Sequence, residues 1–255
     1  LKSTNGNSKT PLLAEGAVLI RMGRAASEID VETGNFYNLP TPSEQYCQKF
    51  MMQVEQSTAH KMWDKKRVVD GANDNLSGCY IGMAILKALH DEGIEFENTE
   101  IGVVCTGSEE AGLRGAKAWA EAHKGEFQDV PTFIYSFDTI NDPKYLMVNY
   151  RDLNGTVKTD KQANDIFMKA CEELDIACRK GWVPPLGGAT DTAAFTQGGF
   201  RSGGVTGLNH KLENYYHTRR DTYDNLSHQG IGDCYAASMK VLEMFENGIL
   251  YEEEK

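Results

Sequence analysis

The chain has 255 residues, of which 40% are hydrophobic and 9% are aromatic, enough for the core of one large α/β domain or two small ones. Its 37 acidic residues outnumber its 26 basic residues and give a net charge of −11, so the surface repels phosphate backbones and a nucleic-acid partner is not expected. No apolar run approaches the roughly 18 residues that a membrane-spanning helix needs, so we expect no span within this chain.

The predicted elements begin after a polar, turn-rich stretch. Residues 1–43 contain one apolar island at 17–20, and we expect an irregular N-terminal segment there, either a remnant of an inserted domain or an edge of the sheet. From residue 44 to residue 250 the apolar residues recur at helical or strand spacing, which predicts a single domain. In chain order, the patterns predict a helix after Ser43, a helix after Gly78, a strand at 101–105, a helix at 113–122, strands at 133–137 and 145–148, a helix around 166–174 and a last helix around 235–245. Strands that alternate with helices of this length favour an open, mostly parallel α/β sheet.

Six cysteines are scattered through segments that are predicted to be buried, and none of them forms a CxxC pair. This spacing is typical of small buried side chains with free thiols. Free thiols favour a reducing, cytoplasmic compartment, although the cysteine pattern alone leaves the localisation open.

Acidic side chains stand where two predicted strands end and where one predicted helix begins. Glu109 and Glu110 follow the strand at 101–105, Asp138 follows the strand at 133–137, and Asp74 precedes the helix after Gly78. Each of them alone is more typical of a helix cap or a solvated surface than of a functional group. However, the functional sites of α/β proteins lie just beyond the carboxyl ends of the strands, so we expect these acids to meet at one edge of the sheet.

Two histidines, His60 and His217, flank the acidic loops and complete a set of residues that suits zinc. Zinc binds carboxylate oxygen and imidazole nitrogen, and a carboxylate shared by two ions gives a co-catalytic pair. One further carboxylate must then take a proton from water, and two neighbouring glutamates can divide these roles because adjacent side chains diverge. The candidate ligands are His60, Asp74, Glu110, Asp138 and His217, with Glu109 left as the base.

Five ordered segments, GANDNLSG, TGSEEAGLRGAKAW, YSFD, GATDTAAFTQGG and YYHTRRDTYDNL, resemble metallopeptidase family 28 over about residues 58–247. These are di-zinc aminopeptidases, related to carboxypeptidase Q and to glutaminyl cyclases. The resemblance implies a mixed, mainly parallel sheet with helices on both faces and two zinc ions per chain. It implies Asp74 as the bridging ligand, Glu110 and His217 on one zinc, His60 and Asp138 on the other, Glu109 as general base, Asp191 and Asp221 as acids near the metals, and Tyr215 and Tyr216 beside the substrate.

The chain departs from the family pattern around the first histidine. Family members usually have His-x-Asp there, whereas here the nearest acid after His60 is Asp64. The acid that orients His60 is therefore either missing or supplied by Asp64 from a shifted loop. The apolar strand that normally delivers this histidine is missing as well.

The resemblance implies removal of the N-terminal residue from peptide substrates, by a water held between the metals with Glu109 as the base. Two alternatives stay open. One is a single-zinc, glutaminyl cyclase-like acyl transfer that uses Asp74, Glu110 and His217, and the other is a catalytically inactive protein of the same fold that binds a partner. The substrate side chain, the oligomeric state and the compartment are not predicted, and the family resemblance also allows secretion.

Overall fold

A computed structural model of the protein describes residues 70–127, 130–183, 188–207 and 215–250, together with the backbone of residues 15–22. The strands are β1 (Glu15–Met22), β2 (Thr99–Thr106), β3 (Thr132–Asp138), β4 (Met147–Asn149), β5 (Arg151–Asp152), β6 (Val157–Lys158), β7 (Arg179–Gly181) and β8 (Arg201–Thr206). The helices are α1 (Ser77–Glu92), α2 (Arg114–Ala122), α3 (Lys161–Glu173), α4 (Asp191–Gln197) and α5 (His228–Glu246). The helix predicted after Ser43 lies outside the described residues.

Six of these strands form a mixed sheet in the order β2-β1-β3-β8-β4-β7, and β5 pairs with β6 in a small hairpin. Strand β1 is antiparallel to both of its neighbours, β3 and β8 are parallel, and β4 is antiparallel to β8 but parallel to β7. The predicted α/β class with a mixed sheet between helices is therefore confirmed.

One expectation for the N-terminal part needs correction. Residues 15–22 form a regular strand that lies between β2 and β3, inside the sheet, rather than an irregular segment or a strand at its edge. The backbone pairs in register from Glu15 opposite Thr106 to Met22 opposite Thr99. The remainder of residues 1–43 and the proposed boundary at residue 43 lie outside the described residues.

The helices cover both faces of the sheet, as alternation along β3 shows. Phe133, Tyr135 and Phe137 point to one face, where α1, α3 and α5 pack, and Ile134 points to the other, where α2 and α4 pack. Side chains that are buried on both faces explain why the middle of β3 is mostly apolar in the sequence instead of alternating with polar residues. The hydroxyl of Tyr135 keeps a partner in this core by donating to the carbonyl of Ala163 at 2.8 Å.

Close packing brings the start of α1 against the end of β3. A Cβ atom on Gly78 would lie 2.2 Å from the Phe137 carbonyl oxygen, so only glycine allows this approach. The turn before α1 is therefore held beside the residue that follows Phe137, which is Asp138. Two of the predicted acids thus come from elements that touch.

Two further sequence expectations can be compared with the described residues. The five cysteines among them, Cys79, Cys105, Cys171, Cys178 and Cys234, are free thiols, as predicted. Cys47 lies outside these ranges. Within the part of the chain that the structure describes, no helix combines the length and apolar character needed to cross a membrane.

Candidate metal centre

The candidate site is built at the end of the sheet where β2 and β3 finish. The turn Ala72–Leu76, which precedes α1, brings Asp74 to this edge in an extended conformation, with φ −117° and ψ 91°. The peptide bond between Asp74 and Asn75 is cis. The Asp74 side chain is buried there, so it is not an exposed helix cap.

Asp74, Glu110 and His217 meet at this edge. The Nε2 atom of His217 lies 3.0 Å from Oδ2 of Asp74 and 3.2 Å from Oε1 of Glu110. One oxygen or nitrogen from each of the three lies within 4.8 Å of the other two, a spacing that can hold a metal ion. Carboxylate oxygen and imidazole nitrogen both bind zinc, and three protein ligands are the usual number for a zinc ion that keeps one position open.

A tight turn after β2 separates the two glutamates. Glu109–Ala111 form a single 3₁₀ turn, and the Glu109 carbonyl accepts from the Gly112 and Leu113 amides, both at 2.7 Å. Glu110 reaches the three-residue cluster from this turn, while Glu109 lies beside it. The sequence analysis expected the two side chains to diverge, and their roles as ligand and base stay predictions.

Glu109 lies among carboxylates. Burial, followed by the charges of Asp138 and Glu110, raises the pKa of Glu109 to about 10. Asp191 and Asp74 act in the same direction with smaller effects. The negative charges therefore converge on one small region, and a divalent cation would relieve their mutual repulsion.

His217 is the basic partner of this cluster. Burial works against its charged form, but its hydrogen bonds to Asp74 and Glu110 and their charges outweigh burial and raise the pKa of His217 to about 9. Its backbone has φ 56°, and its ring stacks on Tyr216 with 3.9 Å between the ring centroids. Burial, together with the same acidic groups, raises the pKa of the Tyr216 hydroxyl.

Asp221 holds the turn that carries Asp74. It is fully buried, and its two carboxylate oxygens accept from the backbone amides of Asn73 at 2.7 Å and Asp74 at 2.9 Å. Its own carbonyl accepts from the Ala72 amide at 3.2 Å. The acid that the sequence placed near the metals thus contacts the main chain of a candidate ligand.

Asp138 and Asp191 lie near the cluster without belonging to the group of three. Asp138 ends β3, is partly buried, and acts electrostatically on both Glu109 and Tyr216. Asp191 is buried at the start of α4 and accepts from the Thr106 hydroxyl at 2.5 Å. Burial, opposed by this hydrogen bond, raises the pKa of Asp191 to about 6.

Two buried asparagines that the sequence analysis did not single out connect the loops of the site. Asn75 joins the turn before α1 to the end of β3, and Asn141 donates to the Tyr215 hydroxyl at 2.5 Å. The side chain of Asn141 also accepts from the Ser227 amide. Nothing in the local sequence separates these residues from ordinary loop asparagines, because their partners are distant along the chain.

Not every predicted site residue can be placed. His60 and Asp64 lie outside the described residues. Of the two residues predicted to bind only the second zinc ion, His60 and Asp138, the described residues include Asp138. Of the predicted substrate-binding pair, Tyr216 packs on His217, and Tyr215 accepts the hydrogen bond from Asn141. These roles stay predictions.

Comparison with known proteins gives the following matches. The family model described as Peptidase family M28 matches residues 54–242. Among solved structures, BSAP, a zinc aminopeptidase from Bacillus subtilis, has a TM-score of 0.56 at 19% identity, over 72% of this chain and 42% of that one. The aminopeptidase from Aneurinibacillus sp. strain AM-1 has a TM-score of 0.54 at 19% identity, over 69% and 40%. The Legionella pneumophila LapA aminopeptidase has a TM-score of 0.58 at 17% identity, over 69% and 47%.

At these levels of identity, the structural similarities show a shared fold. This chain spans less than half the length of each of the three aminopeptidases that it matches. Among curated proteins, none matches the chain.

Proposed function

The chain belongs to peptidase family M28, and from this premise we propose that it is a zinc-dependent aminopeptidase that removes the N-terminal residue of peptides. The observation that carries the proposal is the meeting of Asp74, Glu110 and His217 at one edge of the sheet, with Glu109 beside them. The names of two structural relatives support the same activity, since BSAP is named a zinc aminopeptidase and LapA an aminopeptidase.

The residues present fit zinc. Asp74, Glu110 and His217 offer two oxygens and one nitrogen at mutual distances that suit one ion. Around them, the surplus of carboxylates that raises the pKa of Glu109 favours a bound cation. We propose that these three hold one zinc ion, and that Asp138 and His60, with Asp74 shared, hold a second. Zinc bound there would polarise the scissile carbonyl and lower the pKa of water.

Glu109 is the proposed general base. It lies next to Glu110 in the chain but does not belong to the group of three candidate ligands, so it is the residue proposed to take a proton from the attacking water and to return it to the leaving amine. Its partly buried position among other acids disfavours its charged form, and cations bound beside it would restore the carboxylate that a base must be.

The same negative region suits the substrate's charged amino group. An aminopeptidase must hold a free ammonium, and the carboxylates at this edge attract it. Tyr216, stacked on His217, and Tyr215 are proposed to border the bound N-terminal residue.

The experiment is hydrolysis of aminoacyl-p-nitroanilides and short peptides, with zinc measured in the same samples. We expect Glu109→Gln to retain its zinc and to lose about 10²–10⁴-fold in kcat. Glu121→Gln, the same exchange at an exposed position of α2, is the matched control and keeps full activity. Full hydrolysis by a zinc-loaded Glu109→Gln protein would refute Glu109 as the base.

A second candidate is favoured by one observation, since the three ligands that meet within the described residues are enough for a single zinc. A single-zinc enzyme of this kind would cyclise an N-terminal glutamine by acyl transfer. A glutaminyl peptide distinguishes the two, because cyclisation releases ammonia and leaves the peptide intact, whereas an aminopeptidase releases free glutamine. A folded protein that binds no zinc would instead support the inactive, partner-binding alternative.

A further inference from the structure

The Asn75 side chain connects the two elements that carry Asp74 and Asp138. Its amide nitrogen donates to the Phe137 carbonyl at 2.7 Å, and its amide oxygen accepts from the Thr139 amide at 3.2 Å. Phe137 and Thr139 are the residues on either side of Asp138. Because Asn75 itself directly follows Asp74, one side chain holds the main chain around both acids.

The chemistry of this contact requires an amide. The Asn75 oxygen also accepts from the Gly78 amide at 3.1 Å, so a single side chain satisfies two buried N–H groups and one buried carbonyl. Of the side chains of this size, only asparagine offers a donor and a strong acceptor together. The side chain is 6% exposed, so water cannot replace these bonds.

The end of β3 depends on this support. Thr139 has φ 52°, a conformation that is uncommon for a residue with a Cβ, and it turns the chain sharply after Asp138. The amide of Thr139 points into this turn and finds its acceptor in Asn75. Without that acceptor, the chain around Asp138 would keep the Gly78 contact and the bond from the Ile140 amide to the Ser77 hydroxyl at 3.0 Å, but would lose the bonds that hold the residues directly before and after Asp138 to the Asp74 turn.

We propose that Asn75 is a positioning residue that sets the separation of Asp74 and Asp138 and thereby decides whether the second metal ion is bound. The inference rests on the metal-binding part of the proposed function and concerns a residue that is not itself a ligand. The first ion depends on Asp74, Glu110 and His217, to which Asn75 contributes less, because Asp221 also holds the Asp74 turn.

The test is titration of chelator-treated protein with zinc by calorimetry, and with cobalt by absorption spectroscopy, which reports the geometry of each site. We expect the wild type to bind two ions. In Asn75→Ala the affinity for the weaker ion falls about 10–100-fold, as for other residues that orient ligands, while the tighter ion changes little. Asn75→Asp keeps the acceptor oxygen and loses the donor to Phe137, so its affinity for the weaker ion should lie between those of the wild type and Asn75→Ala. This variant is used if Asn75→Ala does not fold.

Asn164→Ala is the matched control, because Asn164 is also a buried asparagine, bonded to Thr159 and Asn149 on the α3 side of the sheet. It is expected to lose stability in urea but to bind both ions as the wild type does. The proposal is overturned if the Asn75 variants bind the second ion with wild-type affinity, or if Asn164→Ala loses it equally. Wild-type protein with fewer than two ions overturns it together with the two-metal assignment, whereas two ions without peptide hydrolysis overturn the aminopeptidase function and leave the role of Asn75 standing.

Discussion

Replacing Asp221 with asparagine tests how the Asp74 turn is held. In the wild type, each carboxylate oxygen of Asp221 accepts one backbone amide, from Asn73 at 2.7 Å and from Asp74 at 2.9 Å. Asparagine keeps one acceptor and presents an NH₂ group to the other amide, so one of the two N–H groups loses its partner in a fully buried position.

The expected cost follows from that single lost bond. A hydrogen bond to a charged group contributes about 1.5–3 kcal/mol to stability, and an unpaired buried amide adds to the cost. The neutral side chain, however, avoids the desolvation of a buried carboxylate, which offsets part of it. We therefore expect the free energy of unfolding to fall by about 1.5–3 kcal/mol and, since the turn then holds Asp74 less firmly, zinc affinity to fall about 10–100-fold.

Urea unfolding of chelator-treated protein, followed by circular dichroism, gives the first quantity, and zinc titration gives the second. Asp152→Asn is the control, because Asp152 is another fully buried acid, one that accepts from the Thr190 amide and hydroxyl. It should lose similar stability and keep its zinc affinity. Wild-type stability of Asp221→Asn, or equal loss of zinc affinity in both variants, would refute the reasoning.

Three further outcomes are expected in chelator-treated protein. The pKa of Glu109 is raised from 4.5 to about 10, so its tendency to ionise opposes folding above pH 4.5. In urea titrations, Glu109→Gln should therefore raise the free energy of unfolding by about 1–3 kcal/mol at pH 7 and leave it unchanged near pH 4. No gain at pH 7 would contradict this. His217, with a pKa raised from 6.5 to about 9, contributes stability that is complete below pH 6.5 and lost as the pH rises through about 9. The urea midpoints of the wild type and His217→Gln should therefore converge over that range, and a constant gap would count against these ion pairs. In Gly115→Ala, the new Cβ would lie 2.3 Å from the Gly107 carbonyl oxygen, and we expect the free energy of unfolding in urea to fall by about 1–3 kcal/mol. In Gly232→Ala, where α5 leaves open space for the Cβ, it should rise by about 0.5–1 kcal/mol. Similar effects of the two alanines would show that this close approach is not needed.

Much of the sheet could be predicted because its signals are local. The run at 133–137 is apolar except for Ser136, since both faces of β3 are buried, and Asp138 follows it directly. Glu109 and Glu110 could be placed at the same edge because the carboxyl end of a strand is where such acids collect. The geometry of neighbouring residues predicts only that the two side chains diverge, and Glu110 alone of the pair belongs to the group of three.

The remaining features depend on contacts between distant parts of the chain. The island at 17–20 is too short and too isolated to indicate an interior strand, because its partners begin at residue 99 and at residue 132. Asn75 looks like any polar turn residue until Phe137 and Thr139 are brought beside it. The Thr106 hydroxyl that binds Asp191 is equally invisible in the sequence, since the two residues belong to different elements.

The central place of β1 has a consequence for how the protein folds. This strand lies near the start of the chain, yet both strands that flank it follow much later in the sequence. Because its hydrogen bonds close long loops, we expect slow folding. Until β1 docks, β2 and β3 each present an open edge toward the same gap. A second molecule could fill that gap with its own copy of the strand, so exchange of β1 between chains is the misassembly to which this topology is most exposed.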